Sequence, residues 1–366
     1  MGRLNGRLCR SPHLRRVSKN GRLCYITPRG GLHVVELPNR VAKLRAESRV
    51  AELGVCRPFV HLIGEPSGAT PMGDDRQVVF FDGFDMSTVP ARDGVRLRVR
   101  TGGEGPAVVL LHGHPRTHTT WHLVAPLLAA AGMSVVCPDL RGYGQSSTPE
   151  PDAEHHVYSD RAMAGDIPSL MHKLGHERFS VVGHDRGSYV AYRTALDHPG
   201  QVEKLAVLDC VPIVEALERA DARFAELWWH WFFFATEQAE RVITADPMAW
   251  YRPDARRMGQ ENYDDMVAAI NSPATVRAML EDYRAGLHVD RGHDEADRDA
   301  GRRIACPTLV AWSRDDDMED LYGDPGAIWE SWCEQSPRTA VIESGHHMAE
   351  ENPHQLASVL GSFLLV

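Results

Sequence analysis

Residues 179–187 read Phe-Ser-Val-Val-Gly-His-Asp-Arg-Gly: an apolar run ending in Gly183-His184-Asp185-Arg186-Gly187, followed by helical periodicity over 187–198 that Pro199 and Gly200 stop. The glycine spacing is that of the G-x-S-x-G elbow, in which a tight strand-to-helix turn lifts the central side chain out of a sheet. Here that position holds an acid, Asp185, where such turns usually carry serine. A carboxylate attacking an ester carbonyl would give a reactive anhydride. Attack on a saturated carbon bearing a leaving group instead gives a stable alkyl ester that water later cleaves. Carbon–halogen bonds and epoxides are therefore the candidate targets. The alternative is a surface turn in which Asp185 only caps the following helix, a common task for Asp.

Working outward, the flanking segments alternate strand and helix signals, which argues for an α/β fold on a mostly parallel sheet. Residues 95–99 alternate like an exposed strand, whereas 107–111, 134–137 and 205–208 are short continuous apolar runs of the kind covered on both faces. Between them, 161–174 sets Ala164, Ile167, Leu170, Met171 and Leu174 on one helical face, with Pro168 expected to kink that helix or mark its first turn. The alternation stops after Asp209. Residues 211–290 are helical in character and rich in Trp, Phe, Tyr and Arg; strand signals return at 308–312 and 339–342, before a closing helix at 353–364. A helical cap at 211–290, inserted in a core of 85–210 and 291–366, is the economical organisation.

Three further segments add chemistry to the turn. His112-Gly113-His114-Pro115 follows the run at 107–111, so the backbone N–H of His114, with that of Arg186, can stabilise a developing oxyanion. His112, His114 and His118 are not read as metal ligands, because no carboxylate or cysteine set completes a site. The segment from Asp139 to Gly144 looks like a dinucleotide loop but has Ser147 at the place of the third glycine. His346, in Ser344-Gly345-His346-His347 after the last strand signal, is the expected base, with His347 as the neighbouring alternative. Its orienting acid is either Asp209 or one of Asp315, Asp316 and Asp317, and spacing leaves that choice open. In the cap, Trp228-Trp229-His230-Trp231-Phe232-Phe233-Phe234 holds three of the eight tryptophans. Residues 232–234 read as buried helix, whereas His230, Trp231 and Tyr283 offer imidazole, indole and phenol donors for a leaving group in a dry pocket.

With 366 residues, 43% apolar and 25% charged, the chain is long enough for a full core, which excludes a disordered or fibrous protein. No run approaches the roughly 20 apolar residues that cross a bilayer, and no apolar signal core opens the chain, so a cytoplasmic location is expected. The seven cysteines form no C-x-x-C pair, which points to free thiols rather than a disulfide framework or zinc ribbon. Residues 1–71 carry 13 Lys and Arg against 4 Glu and no Asp, +9 in all, against −19 for the remainder. Such an acidic body repels nucleic acid and anionic substrates alike, so any bound anion needs local positive groups. The basic stretch 1–71 is poorly patterned. Its composition fits a transit peptide, a basic arm for an acidic partner, or an extension that is disordered or precedes a true start at Met72; the last is the expectation.

Gly-His-Asp-Arg-Gly at 183–187, Leu-Ala-Val-Leu-Asp at 205–209, His230-Trp231, Glu-Asp-Tyr-Arg-Ala-Gly at 281–286 and Glu-Ser-Gly-His at 343–346 together resemble the fluoroacetate and haloacetate dehalogenases of the α/β-hydrolase superfamily, over essentially all of 85–366. The resemblance implies an α/β-hydrolase fold with Asp185 as nucleophile and His346 as the base that activates water. It favours Asp209 over the later acids as the residue orienting that base. It further implies that His230, Trp231 and Tyr283 hold a departing halide and that Arg186 binds a substrate carboxylate by charge-assisted pairing. Haloalkane dehalogenases and epoxide hydrolases usually have Trp where this chain has Arg186. Three positions depart from the family pattern: Tyr189 replaces a second carboxylate-binding arginine, His114 a phenylalanine and Arg116 a glutamine. Arg116 is expected to compensate for the missing arginine.

The expected activity is hydrolytic dehalogenation of a small 2-halo carboxylic acid, with no cofactor and no metal. One rival is an epoxide hydrolase, in which Tyr251, Tyr263 or Tyr283 protonates the opening ring oxygen. Another is a ligand-binding relative without turnover; a serine esterase lacks its serine at the elbow. The expected partner is a small-molecule substrate, with neither nucleic acid nor membrane, and a homodimer is the assembly allowed for.

Overall fold

The computed structural model describes residues 14–17, 22–26, 32–36 and 80–366. The chain divides into two units, Met1–Asp75 and Arg76–Val366. In the first, strands β1 (Leu14–Val17), β2 (Arg22–Ile26) and β3 (Leu32–Glu36) form an antiparallel sheet in that order. The apolar run beginning at His33, which shows no sustained period in the sequence, coincides with β3. The remaining expectations for 1–71, including a start at Met72, lie outside the described residues.

The second unit is built on β4 (Phe84–Pro90), β5 (Arg96–Gly102), β6 (Ala107–Leu111), β7 (Ser134–Pro138), β8 (Phe179–His184), β9 (Val202–Leu208), β10 (Thr308–Ser313) and β11 (Arg338–Ile342). They form one sheet in the order β11-β10-β9-β8-β6-β7-β5-β4. The pairs from β7 to β11 are parallel, and β4 and β5 close one edge antiparallel. The apolar runs occupy the centre because each buries both faces. Val109 and Leu111 enter one core layer and Val108 and Leu110 the other; Val181 and Val182 divide in the same way. Helices Asp160–Lys173 and Arg186–Asp197 supply the first layer, Val124–Ala130 and Pro353–Leu364 the second. Pro168 lies in the middle of its helix, not in the first turn. Strand β4 carries no apolar period, since most of its residues are exposed; its pairing with β5 defines it.

Register then gathers the functional segments. Leu111 pairs with Gly183, His184 with Leu208, Ala311 with Leu208, and Ser313 with Ile342. The chain segments leaving β6, β8, β9, β10 and β11 therefore meet at the carboxyl edge, where parallel sheets form their crevices.

Between β9 and β10 the chain runs through helices from Ile213 to Asp299, the last of them Arg291–Asp299. This helical stretch, termed the cap, includes the segment expected as one. Helix Arg291–Asp299 presents Asp294 and Asp297 to Arg193 on helix Arg186–Asp197, all three side chains buried. A buried ion-pair face carries no apolar period, which is why the sequence hides it. Among the described residues, no helix is long and apolar enough to cross a membrane.

Candidate active site

The turn after β8 is held under strain. Asp185 has φ 51° and ψ −121°, a conformation that costs a side-chain-bearing residue about 1–3 kcal/mol. Close packing enforces it: a Cβ on Gly183 would stand 2.2 Å from the Gly187 carbonyl oxygen, and one on Gly113 would stand 2.3 Å from Asp185 Oδ1. The Asp185 side chain makes no capping hydrogen bond to the helix it precedes, which removes the capping alternative. It is 20% exposed and faces a cavity of about 280 Å³. The His114 N–H donates to Oδ1 at 2.7 Å. Burial works to raise the Asp185 pKa, but the fields of His346 and His184 and the N–H groups of Arg186 and His114 outweigh it, and the carboxyl titrates below its usual range. Asp185 is thus ionised at neutral pH, with the His114 N–H on Oδ1 and the Arg186 N–H also favouring the charged carboxylate.

His346 stands across from it, Nε2 being 3.8 Å from Asp185 Oδ2. Its Nδ1 is bonded to Asp316 Oδ2 at 2.7 Å and lies 3.6 Å from Asp209 Oδ2. The acid that orients the imidazole in this geometry is therefore Asp316, a correction to the preference for Asp209. The reason is local: Asp209 Oδ1 accepts the Ser313 N–H and Oδ2 the Ser313 hydroxyl, both at 2.7 Å, which ties that carboxylate to the end of β10. Burial would lower the His346 pKa, but the hydrogen bond to Asp316 and the charges of Asp185, Asp316 and Asp209 raise it to about 10. His347 lines the same cavity, yet burial and the field of Arg116 drive its pKa well down. His184 Nε2 bonds the His346 carbonyl oxygen at 2.7 Å and so pins the histidine loop to β8.

The cap supplies the remaining wall. His114, His230, Trp231 and Tyr283, all named from the sequence as substrate-side residues, line the cavity together with Asp185, and Tyr189 and Trp228 join them. Burial lowers the His230 pKa to about 4, so its ring is a neutral donor. The His114 ring, lowered to about 3 chiefly by burial, packs edge-on to Tyr283 at 5.2 Å. Of the three tyrosines considered for ring opening only Tyr283 reaches this cavity; Tyr251 lines a separate one of about 140 Å³ and Tyr263 neither. The aromatic run is not uniformly buried either: Phe234 is, but Trp229 is 49% and Phe232 43% exposed.

Both arginines expected at a substrate carboxylate are engaged elsewhere. Arg186 is 1% exposed and pairs with Asp282 through Nε and Nη2. Arg116 is held by both Glu350 oxygens, at 2.8 and 3.0 Å, and lines the other cavity. These pairs correct the roles given to Arg186 and Arg116. The sequence carried one signal for the first, an acid directly before Tyr283, and none for Glu350, which is distant in the chain. Trp228 was also missed; its Nε1 donates to Asp317 at 2.6 Å. His112 accepts the Leu140 N–H at Nε2, and His118 Nδ1 bonds Asp139, so both organise loops. The cluster His184–Asp209–His346 has the spacing for a cation, but His184 Nε2, His346 Nδ1 and both Asp209 carboxylate oxygens are already hydrogen-bonded within the protein.

The alpha/beta hydrolase fold family matches residues 106–353. A fluoroacetate dehalogenase of Burkholderia sp is 38% identical, over 78% of this chain and 95% of its own length. An epoxide hydrolase of Caballeronia sordidicola is 37% identical, over 65% of this chain and 80% of its own. Among solved structures, the epoxide hydrolase CorEH without ligand has a TM-score of 0.68 at 26% identity, covering 77% of this chain and 99% of that one.

Proposed function

The chain belongs to the haloacetate dehalogenase family of the α/β-hydrolase superfamily, and from that premise we propose that it is a hydrolytic dehalogenase of small organohalides whose halogen sits next to a carbonyl group. The observation that carries the reading is the cavity itself: ionised Asp185 and the His346 base share it with the three cap donors His230, Trp231 and Tyr283. Asp185 Oδ2 attacks the halogen-bearing carbon from behind, and the halide leaves with the bonding electrons toward those donors. The product is an alkyl ester of Asp185. His346 Nε2 then takes a proton from water as its oxygen adds to Asp185 Cγ. The negative charge collects on Oδ1, beneath the His114 and Arg186 N–H groups. Collapse expels the alcohol, which takes the proton from His346. The net change is replacement of halide by hydroxyl, with one proton and one halide released. The expectation of a free carboxylate on the substrate rests on Arg186 and Arg116, both of which are ion-paired.

The same nucleophile and base fit epoxide opening, and the phenol of Tyr283 on the cavity wall favours that second reading. Single turnover in oxygen-18 water tests the ester route: label enters the Asp185 peptide, and an unlabelled peptide rules the route out. Chloride release from a chloroacetyl compound, measured beside diol formation from styrene oxide, separates the two readings.

A further inference from the structure

Trp228 of the cap and Asp317 of the core both line the cavity, and the Trp228 Nε1–H donates to Asp317 Oδ2 at 2.6 Å across 89 residues of sequence. Neither residue lies in a segment that carries the family resemblance. Burial and the charge of Asp316 raise the Asp317 pKa to about 6. At neutral pH the acceptor is therefore mostly an ionised carboxylate, and the bond is charge-assisted.

Trp228 stands at a joint of the cap. It follows helix Ala222–Leu227 and precedes helix Trp229–Phe234, which bears His230 and Trp231, and its carbonyl accepts the Trp231 N–H at 3.0 Å. Its indole stacks on that of Trp231, with ring centres 5.2 Å apart and planes 23° from parallel, while Phe224 and Tyr322 meet it edge-on at 5.3 and 5.8 Å. Any shift of Trp228 thus passes to Trp231 through both backbone and ring. The Nε1–H groups of Trp228, Trp312, Trp329 and Trp332 donate to protein acceptors. That of Trp231 donates to none among the described residues and stays available in the cavity it lines. Asp316, the preceding residue, holds His346. Two successive acids after β10 therefore divide their tasks, one on the base and one on the aromatic wall.

We propose that Asp317 is a positioning residue for halide departure: it anchors Trp228, and Trp228, through its carbonyl and its stacked ring, sets the aim of the Trp231 N–H. This rests on the dehalogenase reading above and adds a residue to its first step. In that step the bond from Asp185 Oδ2 to carbon forms as the carbon–halogen bond breaks, and the halide that takes the electron pair is met by the Trp231 N–H. A donor displaced by about 1 Å loses much of its effect on the developing charge, and chloride, the stronger hydrogen-bond acceptor, depends on it more than bromide does.

The test uses the full chain and three substitutions. Asp317→Leu removes the acceptor, Asp317→Asn removes the same charge but keeps an acceptor, and Trp228→Phe keeps an aromatic ring but removes the donor. Rapid quench and mass spectrometry of the Asp185 peptide follow ester formation from chloroacetate and bromoacetate in a His346→Gln background, where the ester accumulates; single turnover with His346 present follows its hydrolysis. Asp317→Leu is expected to slow formation from chloroacetate by about tenfold or more, and from bromoacetate less, so that the bromo-to-chloro ratio rises. Asp317→Asn is expected to recover most of that loss, and hydrolysis should differ little between the two. Trp228→Phe should follow Asp317→Leu, and against the wild type it makes the same comparison at constant charge should Asp317→Leu not fold. Equal rates in Asp317→Leu and Asp317→Asn, or a loss shared evenly by both halides and both steps, overturns the inference and leaves the dehalogenase reading standing. A chain with Asp317 and Trp228 intact that forms no Asp185 ester from either haloacetate overturns both.

Discussion

His346 donates from Nδ1 to the Asp316 carboxylate at 2.7 Å, and that bond sets the direction in which its other nitrogen points. Asp316→Asn should slow hydrolysis of the Asp185 ester by about 10²- to 10⁴-fold, the range seen when the acid of such a triad is replaced. Formation of the ester should change little, because Asp185 needs no base to attack. Pre-steady-state chloride release would then show a burst of one equivalent followed by a slow phase. If Asp209→Asn produces that burst and Asp316→Asn does not, the acid has been assigned wrongly.

The two half-reactions should respond differently to pH. The Asp185 pKa is held below its usual 3.8, so ester formation should stay level as the pH falls to about that value. The His346 pKa, about 10 in the free protein, owes part of its elevation to the Asp185 charge, which alkylation removes. Hydrolysis of the ester should therefore rise with pH through a midpoint well under 10, measurable by single-turnover quench.

The same residue links pH to folding. Because the His346 pKa is raised from 6.5 to about 10 in the folded chain, its stabilising effect is complete below 6.5 and disappears as the pH climbs through 10. Urea denaturation across that window should show His346→Gln losing less stability than the wild type.

Gly113→Ala places a methyl group 2.3 Å from Asp185 Oδ1, inside contact distance, and the carboxylate must move. A displacement of that size should reduce kcat by roughly 10²-fold. The melting temperature should fall as well, since the methyl also stands 2.5 Å from the Asp185 Cβ and the elbow backbone must shift with it, whereas circular dichroism should still show the wild-type fold.

Two buried acids beside Arg186 should behave differently. Asp282→Asn removes the counter-charge of a fully buried guanidinium and should destabilise the chain by about 3–5 kcal/mol. Asp160 has neither carboxylate oxygen bonded, and burial and the nearby Asp290 raise its pKa well above the usual carboxylate range, which disfavours its charged form. Asp160→Asn, of the same shape and with no charge to bury, should cost under about 1 kcal/mol in chemical denaturation.

Much of this architecture was legible because its physics is local. Strand β6 and helix Pro353–Leu364 fall where apolar runs and punctuation put them, since a strand covered on both faces must be continuously apolar. Asp185 and His346 were legible too, each at a glycine-marked turn after such a run. Strand β4 was not, because its order comes from pairing rather than from its own residues. The choice between Asp209 and Asp316 depends on which carboxylate Ser313 holds, a contact spanning 104 residues. Arg186 and Arg116 were misread for the same reason: charge is visible in a sequence, whereas the partner that cancels it lies 96 residues away for one and 234 for the other.

Asp185 and Arg186 are joined by one peptide bond, the first turned to the cavity and the second gripping Asp282 on helix Pro273–Ala285. Any displacement of that helix therefore tugs on the backbone that aims the Asp185 carboxylate. The helical segment and the elbow are tethered through a single covalent link.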